Sequence, residues 1–367
     1  MEQENKRTCL YDKHVALGAQ MSPFGGFDMP IQYSGIVDEH QAVRQSCGVF
    51  DVSHMGEVLV CGADAGRFVN HILTNDISAM SVDDILYGMM CYEDGGVVDD
   101  LLVYKMPWGH FLLVINASNI GKDLAWIRQQ ADGFRVEIED QSDRYAELAI
   151  QGPDSERIVR EVLGLPAHQL RFYTNLRYVT HYPPLYCVML SRTGYTGEDG
   201  FELYGDAETI RECWDRLLAA GVKPCGLGCR DTLRFEVGLP LYGDELSPEI
   251  TPVMAGLSMF VKLDKDEFIG KEALARQKAE GPAKKLVGIE LADKAIPRHG
   301  YQVLKDGQPI GEVTTGYHSI SVDKSVCMAL IDTRYAALGT DVDIQIRRKV
   351  FHGTVCKKRF YEKHYKK

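Results

Sequence analysis

No stretch of about 18 apolar residues, the length a membrane-spanning helix needs, occurs in this chain. The first residues, Met1-Glu2-Gln3-Glu4-Asn5-Lys6-Arg7, are charged and lead into no apolar run. They read neither as a secretory signal nor as an Arg-rich, acid-poor transit peptide, so the expected compartment is the cytoplasm and no membrane partner is expected. There is no His-Glu-x-x-His pair, no Walker A loop and no Gly-x-Gly-x-x-Gly after a strand-like run. Gly226-Leu227-Gly228 is too short to stand in for one. Net basic charge is missing too. The formal charge is −11, which repels phosphate backbones, so no nucleic-acid partner is expected.

Cysteine is not scarce, but its spacing excludes a zinc site. Of ten cysteines the closest pair, Cys225 and Cys229, has no second pair to complete the ligand set, so buried free thiols are expected and no metal. What remains is an ordinary globular composition, 45% hydrophobic and 25% charged, over 367 residues. That length exceeds what one core supports, and two or three domains are expected.

Periodicity places several elements. Met55–Cys61 and His110–Asn116 have the content of strands. In 206–220, Ile210, Cys213, Trp214, Leu217 and Leu218 share one helical face, with Asp206 as cap and Gly221 as stop. Ile158, Val159, Val162 and Leu163 form a second such face, and Ala63–Leu73, Asn119–Gln130 and Lys271–Ala279 are weaker helices. The pattern is α+β rather than a regular βαβ relay. Arg276–Lys285 carries charge and a Gly-Pro break. Beyond it Leu286–Leu291, Gly311–Thr315, Ser325–Leu330 and Val342–Ile346 are short strands, as in a small sandwich or barrel. The expected division is 1–280 and 281–367, the first region being two interleaved lobes whose boundary composition does not show.

Three stretches carry candidate chemistry. Gly95–Tyr104 reads as a turn feeding a strand with two adjacent carboxylates, Asp99 and Asp100. Side chains alternate along a strand, so the two point to opposite faces and do not form a shared-proton dyad. One can sit in a cleft as an acid/base or charge stabiliser while the other bonds backbone or solvent; an edge strand with two wet aspartates fits the pattern equally. Leu102 and Tyr104 share the face of Asp100. Ser191–Leu203 is a glycine-rich loop returning to a strand at Phe201-Glu202-Leu203, either a binding loop or a simple hairpin turn. Gly226–Glu236 sets Arg230 one helical turn from Arg234, suited to carboxylate binding or to a surface helix with paired charges. Tyr87, Asn116 and His54 are smaller pieces, His54 being read as a satisfied core histidine.

Together these segments resemble the aminomethyltransferase (T-protein) family of the glycine cleavage system. The resemblance runs in order from Thr8–His14 through Ser46–Gly56, Gly95–Tyr104, Ser191–Leu203 and Gly226–Glu236. It continues over Leu241-Tyr242-Gly243, Phe268–Glu272 and Gly311–Gly316. It implies a three-domain cloverleaf around a central folate cavity, the small β module being the last domain. It further implies tetrahydrofolate as cofactor and a lipoylated carrier, the H-protein, as partner. Folate nitrogen takes the methylene of an aminomethyl group borne on the lipoyl sulfur, and ammonia leaves. By the same resemblance Asp100 is the catalytic acid and Glu202 grips the pterin. Arg230 faces the folate, Tyr87, Tyr104, Asn116 and Tyr195 are cavity positions, and Tyr365 is a weaker match. The chain departs from the family at Phe27, where tryptophan is common, and at Ser258-Met259-Phe260, which lacks the usual aromatic after Gly256-Leu257.

Two rivals share the fold. A sarcosine- or dimethylglycine-oxidising enzyme adds a flavin domain, for which no dinucleotide fingerprint exists here. Non-catalytic folate-binding proteins carry a Lys-Gly-Cys-Tyr-x-Gly-Gln-Glu segment, absent from this sequence. A last expectation concerns Lys357, Lys358, Arg359, Lys363, Lys366 and Lys367, either a frayed end or a dock for an acidic carrier.

Overall fold

The computed structural model describes residues 4–179 and 187–366. Three β assemblies divide the chain. An antiparallel sheet has the spatial order Ile85–Cys91, Val97–Lys105, Phe111–Ile115, Gly56–Cys61, Glu137–Asp140. Helices Ala65–Ile72 and Ile120–Gln129 cover one of its faces, burying Val58, Phe68, Leu101, Val103, Leu113 and Ile127 together. Strand alternation therefore turns Asp100, Leu102 and Tyr104 to the other, helix-free face.

A second sheet has the order Asn175–Val179, Cys187–Ser191, Gly200–Gly205, Ala146–Gln151, Gly48–Asp51, Lys223–Pro224, with only the last pairing parallel. Helices Ser155–Leu163 and Ala207–Ala219 cover one side of it, with Ile158, Val159, Leu203, Trp214 and Leu217 in the core. Asp206 caps the longer helix, accepting from the Thr209 N–H at 2.8 Å. On the uncovered side Tyr204 and Met189 meet Tyr104, Leu112 and Val114 of the first sheet. The two sheets thus face each other through their helix-free sides.

The third assembly is a closed six-stranded antiparallel barrel. Its strands run Lys284–Leu291, Ser325–Asp332, Gln308–His318, Gln302–Lys305, Asp341–Ile346, Lys349–Cys356. Val303, Val313, Ile331, Ile344 and Val355 fill it. Sequence spacing places four of these strands and misses Gln302–Lys305 and Lys349–Cys356, whose exposed polar residues dilute the apolar signal. The charged stretch before the barrel is only partly a break. Helix Lys271–Glu280 runs through its first half and stops at Gly281.

A buried polar knot joins the parts. Arg44 bonds Glu198 at 3.0 Å and Glu236 at 3.2 Å, while Glu236 accepts from Ser319 and Ser321 of the barrel hairpin. The final segment is pinned there as well. The Phe360 and Tyr361 N–H groups donate to the Glu236 carbonyl, and that of His364 to Gly197. Among the described residues no helix is long and apolar enough to cross a membrane.

Candidate active site

Where the two uncovered sheet faces, helix Leu227–Glu236 and the barrel meet, they leave a cavity of about 1470 Å³. That exceeds the ~300–1,000 Å³ of most small-molecule sites, so a large or two-part ligand fits. Leu102, Val114, Met55, Leu257 and Phe260 give it apolar walls. Two polar ends interrupt them.

Asp100 marks the first end. Tyr87 donates to its Oδ2 at 2.9 Å and the Asn116 side-chain amide to its Oδ1 at 3.0 Å. Burial, reinforced by the neighbouring Asp99 charge, pushes the Asp100 carboxyl up to about 7. Phe260 packs edge-on against Tyr87 at 4.9 Å, so an aromatic still lines this wall despite the departure at 258–260. Asp99 turns away, as alternation requires. It is fully buried and accepts from the Asn116 N–H at 3.1 Å and from the Asn116 and Asn119 amides at 2.8 Å each. The wet edge strand is excluded, and solvent is not the partner of Asp99.

Glu202 marks the second end. Thr193 donates to its Oε2, and burial raises its carboxyl above the ordinary range. The glycines of its loop do more than turn: a Cβ on Gly194 would come 2.0 Å from Gln151 Oε1. Arg230 lies across the Tyr195 ring at 4.8 Å. Among the described residues it makes no ion pair, whereas Arg234, one turn on, is fully buried against Glu245 and Asp231. The Tyr195 hydroxyl donates to the Pro240 carbonyl. Tyr365 stacks on Phe172 at 4.6 Å.

Asp100, Tyr87, Asn116, Tyr195, Glu202, Arg230 and Tyr365 therefore all line one cavity. Tyr104 does not. It is fully buried behind the wall, where its hydroxyl bonds those of Tyr204 at 3.0 Å and Ser191 at 3.3 Å. Sharing a strand face with Asp100 does not guarantee sharing its opening, because the sheets close together toward the Tyr104 end.

The two family descriptions that match are the GCVT N-terminal domain, over residues 10–265, and the glycine cleavage T-protein C-terminal barrel domain, over 284–362. The chain belongs to the glycine cleavage T-protein family. An aminomethyltransferase of Lysinibacillus sphaericus is 48% identical over 370 residues, covering 99% of this chain and 100% of that one. One from Caldanaerobacter subterraneus is 48% identical over 366 residues, covering 99% and 97%. The crystal structure of glycine cleavage system aminomethyltransferase T from Bartonella henselae superposes with a TM-score of 0.93 at 31% identity, covering 99% of both chains. As a T-protein, the chain is an aminomethyltransferase of glycine cleavage, in the three-part fold that the resemblance implies.

This T-protein also holds cavity residues that sequence reading missed. His54 is buried, as expected, but not satisfied: its Nδ1 has no partner among the described residues, and burial drives its pKa down to about 4. Glu147 likewise lines the cavity with a partnerless Oε2, its carboxyl raised by burial and then by Glu202. Its signal was available, since it is the lone acid in the apolar run Ala146–Ile150. Tyr173, Phe172 and Tyr204 complete the wall. Glu39 comes within 4.8 Å of Cys225 and Cys229, a grouping that spacing could not show. Its two oxygens are already engaged by the Tyr33, Gly35 and Gly226 N–H groups, so it serves backbone rather than metal.

Proposed function

We propose that the cavity binds tetrahydrofolate between its two polar ends and admits the aminomethyl-lipoyl arm of the carrier H-protein, in the cytoplasm. The observation that carries this is Asp100, an oriented carboxyl in an apolar chamber that also holds a separate, incompletely satisfied recognition end. Arg230 Nη1, Glu147 Oε2 and His54 Nδ1 are buried there without partners among the described residues. Such atoms cost free energy unless a ligand or water meets them. With Glu202 they offer donors and acceptors to the edge of a flat heterocycle, so the residues present fit a pterin. Nine of the ten cysteines are free thiols among the described residues, which suits a reducing compartment.

Tetrahydrofolate, when bound, supplies the nitrogen nucleophile that takes the methylene. Tyr87 and Asn116 fix both oxygens of Asp100, so the carboxyl is aimed before substrate arrives. Near neutral pH Asp100 is available in both protonation states. As an acid it can give a proton to the departing amine. As a carboxylate it faces the positive charge that develops at the methylene. The apolar walls exclude water and strengthen that interaction. The test is folate-dependent ammonia release from aminomethylated carrier, alongside calorimetry with 5-methyltetrahydrofolate. Folate binding without ammonia release would favour a non-catalytic folate protein, and absence of both would reject the reading.

The tail is not frayed. Lys357, Lys358, Arg359 and Lys363 line the cavity, and burial lowers Lys358 and Lys363 to about 8. Lys358 donates to the Ala255 carbonyl. Lys357 and Arg359 stay exposed and form the basic rim offered to an acidic carrier. Lys366 lies 3.9 Å from Glu156 and Asp199, and Lys367 falls outside the described residues.

A further inference from the structure

The polar chain that begins at Asp100 does not stop at Asp99. Asn116 Nδ2 touches both carboxylates, 3.0 Å from Asp100 Oδ1 and 2.8 Å from Asp99 Oδ1. Beyond Asp99, on helix Ile120–Gln129, sits Asp123, fully buried and one helical turn on from Asn119, whose side-chain amide bonds Asp99 at 2.8 Å. Its Oδ1 accepts from Lys122 at 2.6 Å, but its Oδ2 meets no donor among the described residues. Two carboxylates can share a hydrogen bond only if one is protonated. Asp99 already accepts three N–H bonds, as an anion does.

We infer that Asp123 is a neutral carboxylic acid donating its proton to Asp99, and that this buried pair positions Asn116 and, through it, Asp100 for transfer. Charge balance agrees. Two carboxyls, one shared proton and the part-exposed Lys122 ammonium leave the cluster neutral, which the full burial of both aspartates favours. Lys122 also donates to the Val98 carbonyl and lies over the Tyr242 ring at 4.8 Å. Burial, followed by the bond to Asp99, raises Asp123 to about 9, in the same direction. The charged and titratable groups facing this chain are Lys122 and Asp123 from the helix and Tyr242 from the segment after helix Leu227–Glu236. Tyr87, Tyr173 and Tyr195 face it across the cavity. Asp123 touches no substrate and acts only through its neighbours.

The inference rests on the catalytic reading of Asp100, so the test has an arm independent of turnover. In the full chain, infrared difference spectra at neutral pH should show a protonated-carboxyl carbonyl band in wild type that Asp123→Asn lacks. Asp123→Asn keeps a donor to Asp99 and an acceptor for Lys122. It should hold kcat within about twofold and leave the acid limb of the pH profile in place. Asp123→Leu removes the donor and concentrates charge on Asp99. Its kcat should fall by about tenfold, as for groups in one bonded network, with KM for folate little changed and the limb moved to higher pH. An unchanged carbonyl band, or a limb moved to lower pH in Asp123→Asn, would mean Asp123 is ionised and overturn the inference. Equal kinetics in the two variants would overturn the positioning role. If Asp123→Leu fails to fold, the Asp123→Asn spectrum and pH profile still decide. Full turnover in Asp100→Asn would sink the reaction assignment instead and leave the infrared result standing.

Discussion

Asp100 and Glu202 reach one cavity from different sheets, and burial raises both carboxyls. Their surroundings then diverge. Asp100 is held by Tyr87 and Asn116 on both oxygens and backed by the Asp99 anion, so its protonation is balanced near neutrality. Among the described residues Glu202 has one hydroxyl donor, from Thr193, and Glu147, His54 and Arg230 carry buried atoms that none of those residues satisfies. A carboxyl with a completed shell has its geometry set in advance, which suits chemistry. One beside unmet donors and acceptors waits for a ligand, which suits recognition. Equal burial therefore does not imply equal purpose.

The sharpest way to break this comparison is to remove each carboxylate and see which quantity moves. Asp100→Asn should lower turnover by about 10²–10⁴-fold, the range for a positioned acid/base group, with folate affinity nearly unchanged. Steady-state assays paired with calorimetry check it, and a loss confined to affinity would merge the two ends into one. Glu202→Ala should weaken folate binding by roughly 10²-fold, because hydrogen bonds to a charged group contribute about 1.5–3 kcal/mol each. Affinity close to wild type in that variant would make the loop a turn and nothing more. A finer probe is Tyr87→Phe. The Tyr87 hydroxyl favours ionised Asp100, so its loss should raise the Asp100 pKa further. Activity that depends on the carboxylate rises with pH through about 7 in wild type. In Tyr87→Phe that limb should move up by about one unit, matching roughly 1.4 kcal/mol. A pH–rate series on kcat/KM reads the shift, and a downward move would contradict the assigned bond. Smallest is the rim. Changing exposed Lys357 and Arg359 to Gln should raise KM for the carrier a few-fold at low salt and converge with wild type as screening grows. Lys358 is left alone there because it is built into the wall.

Local chemistry made much of this legible. Period-two alternation separated Asp99 from Asp100, and period 3.6 with an Asp cap placed the helix Ala207–Ala219. What stayed hidden depends on how separate sheets close on each other. Alternation put Tyr104 on the cavity side, yet the approach of Tyr204 removed it from the opening. His54, between Ser53 and Met55, read as core, and Phe24 and Phe27 do pack edge-on around it; that its Nδ1 lacks a partner among the described residues is visible only in three dimensions. The tail read as a charge run, while its backbone N–H bonds to Glu236 and Gly197 are pairings no local pattern encodes.

The polar knot around Arg44 and Glu236 has a consequence for the order in which this protein assembles. His40 bonds Ser321 across 281 residues of sequence, and the tail is tied to the same knot. Each sheet and the barrel can form from nearer neighbours, but the chamber exists only after these distant segments meet. Contacts so far apart in sequence raise the contact order, which slows folding. A partly folded chain would possess every strand and still have nowhere to put a ligand. A ligand that fills the cavity therefore draws the equilibrium toward the fully assembled protein by mass action.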